Sequence, residues 1–195
     1  MKKKNLVVLA AALLISGTVL TGCSSDKSDN KDAKTEKSST KKSDTTTGAS
    51  ITNDATKLAG GLGEHGFWLV AITEDVTSDK DITVKGSFKD EEGTVARELA
   101  LYKSNPDTHK PDALYTLTVP KLTIESENFG IAQGTVKGDV YANAKGFHFE
   151  SDADKGTKGT VDGNLIFKTQ ALKDAYDGLA DDQKGTVTGE IKVAE

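Results

Sequence analysis

Cysteine is almost absent from this sequence, since the 195 residues contain one, Cys23. A single cysteine excludes disulfide bonds within the chain as a source of stability. The three histidines, His65, His109 and His148, are too scattered to suggest a metal cluster, and no HExxH motif occurs. The glycine-rich segment 60–66 lacks both the residue order and the lysine of a phosphate-binding loop. We therefore expect no catalytic residues, no metal and no cofactor.

Positive charge is scarce after residue 50. The whole chain carries 25 Lys and Arg against 30 Asp and Glu, but residues 51–195 hold only 16 basic and 25 acidic residues. The resulting net charge of −9 argues against nucleic acid as a partner of this part. Asp152 and Asp154 begin a segment that resembles a calcium loop, but Lys158 and Gly163 stand where further ligands are needed. The sequence thus predicts no metal site there.

The N-terminus has the pattern of a secretion signal. Three lysines at positions 2–4 precede an apolar run over 6–20, which is a little short for a membrane span. Leu20, Thr21, Gly22 and Cys23 then match the bacterial lipobox. The resemblance implies cleavage before Cys23 and a diacylglycerol anchor on Cys23, at the extracellular face of the bacterial cell membrane. A plain cleaved signal, or a retained span with an incidental cysteine, is the alternative.

Residues 24–50 contain no aromatic and no large aliphatic side chain. Such a segment cannot bury enough apolar surface to offset the conformational entropy that ordering would cost, so we expect a disordered tether. A Ser/Lys/Asp tether after a lipobox resembles those of Gram-positive surface lipoproteins. The predicted organisation is a signal peptide over 1–22, a lipidated cysteine and tether over 23–50, and a single β-rich domain over 51–195.

One short phrase occurs three times in this domain. The copies are GTVKGDV at 134–140, GTVDGNL at 159–165 and GTVTGEI at 185–191, and TVKGSF at 83–88 is a weaker relative. Because side chains alternate along a strand, each copy predicts an inward face of Val, Gly and an aliphatic residue. The predicted repeat glycines are Gly86, Gly138, Gly163 and Gly189. The outward residues that follow three of them, Asp139, Asn164 and Glu190, should form a column.

Recurrence at about 25 residues favours a mainly β fold, a small β-solenoid resembling a parallel β-helix, with one or two short helices. An antiparallel β-sandwich or barrel is the alternative. Helices are predicted at 54–62, with Asp54 as N-cap, and at 171–179. Single strands are predicted at 66–73 and 97–103, and a surface loop at 105–112.

The repeated phrase and the ladder GTVKGDVYANAKGFHF resemble the polymer-forming, bactofilin-like β-solenoid proteins over 117–195. The resemblance implies the shape, whereas a cytoskeletal role does not carry over because the predicted signal exports the chain. We expect a lipid-anchored structural or interaction module without catalysis, which self-associates or meets a cell-wall partner. A carbohydrate-binding or carbohydrate-cleaving surface protein is the alternative. A third possibility is that the signal segment 15–22 releases a peptide pheromone.

Overall fold

The computed structural model describes residues 48–108, 110–152 and 157–195. Cys23, the lipobox residues Leu20, Thr21 and Gly22, and the tether up to residue 47 lie outside these ranges, as do His109 and Asp154. The predictions made for them therefore stay predictions. No helix in the described part of the chain is long and apolar enough to cross a membrane.

The described residues form a mainly β structure with two α-helices. The helices are α1 (Ala55–Gly61) and α2 (Gln170–Asp177). The strands before residue 115 are β1 (Ala49–Ile51), β2 (Leu69–Ala71), β3 (Val76–Thr77), β4 (Ile82–Val84), β5 (Arg97–Ala100), β6 (Tyr102–Ser104) and β7 (Pro111–Leu114). Those after it are β8 (Thr116–Ile124), β9 (Phe129–Ala132), β10 (Thr135–Ala142), β11 (His148–Asp152), β12 (Thr157–Lys158), β13 (Thr160–Asp162), β14 (Leu165–Phe167), β15 (Thr186–Val187) and β16 (Ile191–Val193).

Two large sheets contain nearly all of these strands. Sheet A has the order β1-β2-β5-β9-β11-β12, and its strand pairs are parallel except for β11 with β12. Sheet B is built around β10, which pairs in parallel with β8 on one edge and with β13 and β14 on the other. This parallel pairing differs from that of the antiparallel sandwich or barrel considered as the alternative.

The three copies of the repeated phrase lie side by side in sheet B. Thr135 pairs with Thr160 and Thr160 with Thr186, while Val140 pairs with Leu165 and Leu165 with Ile191. Equivalent residues of successive copies are therefore direct neighbours across the sheet. The weaker relative is also in this sheet, since β4 pairs with β8.

A single hydrophobic cluster joins the inner residues of both sheets. Sheet A contributes Val70, Leu99, Ile131 and Phe149, and sheet B contributes Leu117, Val136, Val140, Val161 and Leu165, all at most 1% exposed. The predicted inward aliphatic residues of the first two copies are thus confirmed as core residues. The aromatic end of the cluster includes Tyr176 of α2, whose ring lies 5.2 Å from that of Phe167.

Alternation predicts that the repeat glycines lie on the inward face, but in the structure they have a different role. Gly138 has a φ of +141°, and a Cβ added there would overlap the carbonyl oxygen of Val119 on β8. A Cβ on Gly163 would overlap the carbonyl of Gly138, and one on Gly189 would lie 2.6 Å from the carbonyl oxygen of Gly163. These glycines allow neighbouring backbones to approach closely along the sheet, rather than making room in the core.

Both predicted helices are confirmed. Asp54 caps α1 by accepting from the backbone N–H of Lys57 at 2.8 Å, and Leu58 of this helix is fully buried. The guanidinium of Arg97 donates to the carbonyls of Gly61 and Lys85 and stacks 3.7 Å from the Phe88 ring centre. Burial lowers the pKa of Arg97 to about 10. The buried arginine thus ties the end of α1 to the sheets.

Three local predictions were wrong in their bounds. The segment 97–103 is not one strand: it divides at Leu101 into β5 in sheet A and β6, which pairs with β7 in a small antiparallel hairpin. Leu101 is completely buried, so the chain turns to place it in the core. The predicted strand 66–73 is limited to β2, and β7 already begins at Pro111 inside the predicted loop.

Candidate functional site

A polar ladder runs across the outer face of sheet B, where the sequence predicts a column. Asp139 Oδ1 accepts hydrogen bonds from the backbone N–H of Asn164 at 2.9 Å and from its side-chain amide at 3.0 Å. Asn164 Oδ1 in turn accepts from the backbone N–H of Glu190 at 2.9 Å. The predicted column of Asp139, Asn164 and Glu190 is confirmed. Asp139 and Asn164 each satisfy a backbone donor of the next copy, which fixes the register of the three copies.

A second row stands beside this ladder, two residues further along each strand. Tyr141 pairs with Ile166 and Ile166 with Lys192, so an aromatic, an aliphatic and a basic side chain are aligned across β10, β14 and β16. Lys192 Nζ contacts Glu190 Oε2 at 2.8 Å. The Glu190 contact, followed by the charges of Glu195 and Asp139, raises the pKa of Lys192 and so favours its charged form.

Residues of the two rows line an open groove of about 410 Å³. Its lining runs from Asp139 and Tyr141 on β10, through Asn164 and Ile166, to Lys192 and the final residues up to Glu195. This volume lies within the range of small-molecule sites. The groove therefore offers an aromatic ring, an aliphatic patch and carboxylates on one surface.

The groove is better suited to binding than to acid–base catalysis. Asp139 and Glu190 are separated by the copy that carries Asn164, hence by two strand spacings or about 10 Å. That separation is at the outer limit for an inverting glycosidase pair. The groove is open, and the hydrogen bond from Lys192 lowers the pKa of Glu190, so Glu190 is not poised as an acid.

A second cluster of titratable groups lies on the outer face of sheet A. Glu98 on β5 and His148 on β11 are both paired with Gly130 on β9 between them. Glu150, two residues after His148, places Oε1 3.8 Å from His148 Nε2. A Cβ on Gly130 would lie 3.0 Å from Glu150 Oε1 and 3.1 Å from His148 Nε2, so both side chains lean over the glycine. His148 is therefore only partly exposed, with 23% of its side chain accessible.

The pKa values of Glu98 and His148 in this cluster are both raised above those of free side chains. Burial, followed by the charge of Glu150, raises the pKa of Glu98 to about 8, although His148 acts in the opposite direction. Burial opposes the charged form of His148, but the contact with Glu150, the Gly146 carbonyl and the charge of Glu98 outweigh it and raise its pKa. His148 Nδ1 donates to the Gly146 carbonyl at 2.9 Å, which directs Nε2 toward the carboxylates.

Sequence reasoning missed this cluster because Glu98 and His148 are 50 residues apart in unrelated segments. The alternation of FHFE does place His148 and Glu150 on one face. Nothing in the sequence indicates that only β9, with a glycine at the matching position, separates β5 from β11. Among the described residues, no group of three or more His, Cys, Asp or Glu is arranged to hold a metal ion.

The structure brings together three of the four repeat glycines, Gly138, Gly163 and Gly189, next to the polar ladder. Gly86 lies elsewhere, beside Phe88 and the carbonyl of Glu64, with a φ of +96°. Comparisons of the chain with protein-family models, with curated proteins and with solved structures found no match.

Proposed function

We propose that this protein is a lipid-anchored, non-enzymatic module of the bacterial cell envelope. In this account its domain over 51–195 is a small β-solenoid, with Cys23 as the anchor. Three copies of one phrase in direct register, together with mainly parallel pairing in both large sheets, support a chain that winds in successive coils. The lipobox match supports the location.

The observation that carries the interaction role is the free edge of the last copy. β15 and β16 each pair with one strand only, β13 and β14 respectively, within the described residues. The backbone groups of Glu190 and Ala194 form hydrogen bonds with β14. Because backbone groups alternate in direction along a strand, the N–H and C=O groups of Ile191 and Val193 point toward the free edge. Ile191 is 40% exposed. An unpaired edge with an exposed aliphatic residue invites another strand.

The occupant of this edge, in our proposal, is a second copy of the chain. Sedimentation velocity of the full-length protein in detergent should show a species that grows with protein concentration. Ile191→Lys places a charge on the edge and should leave only the monomer. The matched substitution Leu114→Lys, at a residue 51% exposed on the β6–β7 hairpin, should not change the distribution. A wild-type monomer at every concentration would remove the support for self-association.

A second candidate function is carbohydrate binding at the envelope, which the groove on sheet B favours. Carbohydrate cleavage has less support, because Asn164 occupies the position where a second close carboxylate would be needed. Asp139→Asn should therefore leave any hydrolysis of wall glycan unchanged, measured as release of reducing sugar.

A further inference from the structure

The groove on the outer face of sheet B carries an excess of negative charge. Asp139 and Glu195 are the acidic residues in its lining, whereas Lys192 is the basic one. Lys192 donates its hydrogen bond to Glu190 at 2.8 Å, and the carboxyl groups of Asp139 and Glu195 belong to the lining of the groove. Asp139 Oδ1 is occupied by Asn164, but its second oxygen has no hydrogen bond from any described residue. The groove is therefore complementary to a cationic group.

The aromatic wall of the groove has the same preference. Lys121 Nζ lies 5.6 Å from the centre of the Tyr141 ring, so this ring already has one ammonium group beside it. Lys121 lies on β8, whereas Ile166 lies on β14, and these strands flank β10 on opposite edges. The groove is thus on the side of Tyr141 that Lys121 does not occupy. A ring can pack there against Tyr141.

Together these features favour a ligand that combines a ring able to pack against an aromatic side chain with a positively charged group. We propose that the groove binds an amino sugar within a glycan chain, with its ring against Tyr141 and its ammonium group facing the free oxygen of Asp139. Hydroxyl groups on the sugar ring would hydrogen-bond to the carboxylate of Glu195. This inference deepens the second candidate function and rests on it, but it does not depend on self-association at the β16 edge.

Two glycans with the same backbone test the inference. The glucosamine tetramer carries free amines, whereas its fully N-acetylated counterpart is neutral. Calorimetric titration of the full-length protein in detergent, at a mildly acidic pH that protonates the amines, should give an affinity about tenfold higher for the glucosamine tetramer. Added salt should reduce this difference, because the carboxylates lie in an open groove.

Substitutions separate the contributions of the ring and the charge. Tyr141→Ala should weaken binding of the glucosamine tetramer about tenfold, whereas Tyr141→Phe keeps the ring and should bind like the wild type. Asp139→Asn retains Oδ1 for Asn164 but removes the charge, so it should abolish the preference for free amines. Phe67→Ala changes an exposed aromatic residue outside the groove and should have no effect. Circular dichroism checks that each variant folds.

Three results would overturn the inference. They are equal affinity for the two tetramers, an unchanged affinity in Tyr141→Ala, or tetralysine binding as tightly as the glucosamine tetramer, which would indicate a cationic peptide as the ligand. Its failure can be told apart from failure of self-association. Ile191→Lys should dissociate the assembly and retain glycan binding, whereas Tyr141→Ala should lose glycan binding and retain the assembly.

Discussion

The second and third copies of the repeated phrase share the pattern GTVxG but have very different surroundings. Val161, Leu165 and Phe167 of the second copy are at most 1% exposed. Their counterparts Val187 and Val193 in the third copy are only partly buried, and Ile191 is 40% exposed. The same inward pattern therefore produces a core in one copy and an open surface in the next.

The difference arises from neighbours rather than from the strands themselves. β13 and β14 have a strand on both edges, whereas β15 and β16 have one on a single edge within the described residues. Each copy needs the next one to cover it. Two pairs of substitutions test this contrast, beginning with the pair that should have the largest effect.

Gly138→Ala should destabilise the protein by roughly 3–5 kcal/mol, because its Cβ would overlap the Val119 carbonyl and its φ is +141°. In Gly189→Ala, the new Cβ would lie 2.6 Å from Asn164 Oδ1 and from the Gly163 carbonyl oxygen, but the last copy can shift toward its free edge. We expect its cost to be about 1 kcal/mol. Urea unfolding of the full-length chain, followed by Trp68 fluorescence, measures both. Equal costs would contradict the contrast between a covered and an open copy.

Truncation of core side chains compares the second and third copies without changing the backbone. Leu165→Ala removes a fully buried side chain and should cost about 3 kcal/mol. Ile191→Ala acts at the equivalent, exposed position and should cost less than about 1 kcal/mol in the dissociated protein. The measurement is the urea midpoint at low protein concentration. If Ile191→Ala proved as costly as Leu165→Ala, another surface would have to cover the last copy.

The third prediction contrasts the outer faces of the two sheets through pH. Glu98 has a pKa raised from 4.5 to about 8, so the folded state keeps a proton that the unfolded chain has released. The raised pKa of His148 acts in the same direction. Stability should therefore decline as the pH rises from about 4.5 to about 8, by on the order of 3 kcal/mol.

Glu98→Gln removes this titration and should flatten most of the decline, leaving a smaller slope from His148. Glu190→Gln is the control on sheet B, because the pKa of Glu190 is lowered, so any contribution it makes is lost only as the pH falls. Urea midpoints at a series of pH values measure the slopes. A decline that persists at full size in Glu98→Gln would show that the cluster does not hold the proton.

The smallest expected effect concerns α2, which lies in the chain between the second and third copies. Thr169 Oγ1 accepts from the backbone N–H of Leu172 at 3.3 Å and caps this helix. Thr169→Ala should cost about 1 kcal/mol or less, and Thr169→Ser should restore the wild-type value. Thermal unfolding by circular dichroism is sensitive enough for the comparison. A cost of several kcal/mol would indicate that α2, rather than the strands, supports the last copy.

The features that the sequence predicts correctly are those encoded by local periodicity. Alternation places Val136 and Val140 in the core, the N-cap residue predicts the start of α1, and the equivalent positions of the copies predict the column at Asp139. These depend on neighbours within one segment or on a repeated phrase. They could be derived without knowing how the sheets are assembled.

The features that the sequence does not predict depend on which distant strands become neighbours. The role of Gly138 requires knowledge that β8 runs alongside it with a shifted register. The Glu98–His148 cluster requires knowledge that Gly130 separates the two side chains. Leu101 has to turn into the core, which divides a segment that alternates like one strand. In each case a tertiary contact outweighs the local pattern.

Amide hydrogen exchange in the full-length protein, at several protein concentrations, tests the central claim most directly. If the free edge of the last copy is an association surface, the amides of Ile191 and Val193 should become protected as the concentration rises. Those of Leu165 and Phe167, inside the sheet, should be protected at every concentration. Exchange at Ile191 and Val193 that does not change with concentration would contradict the account.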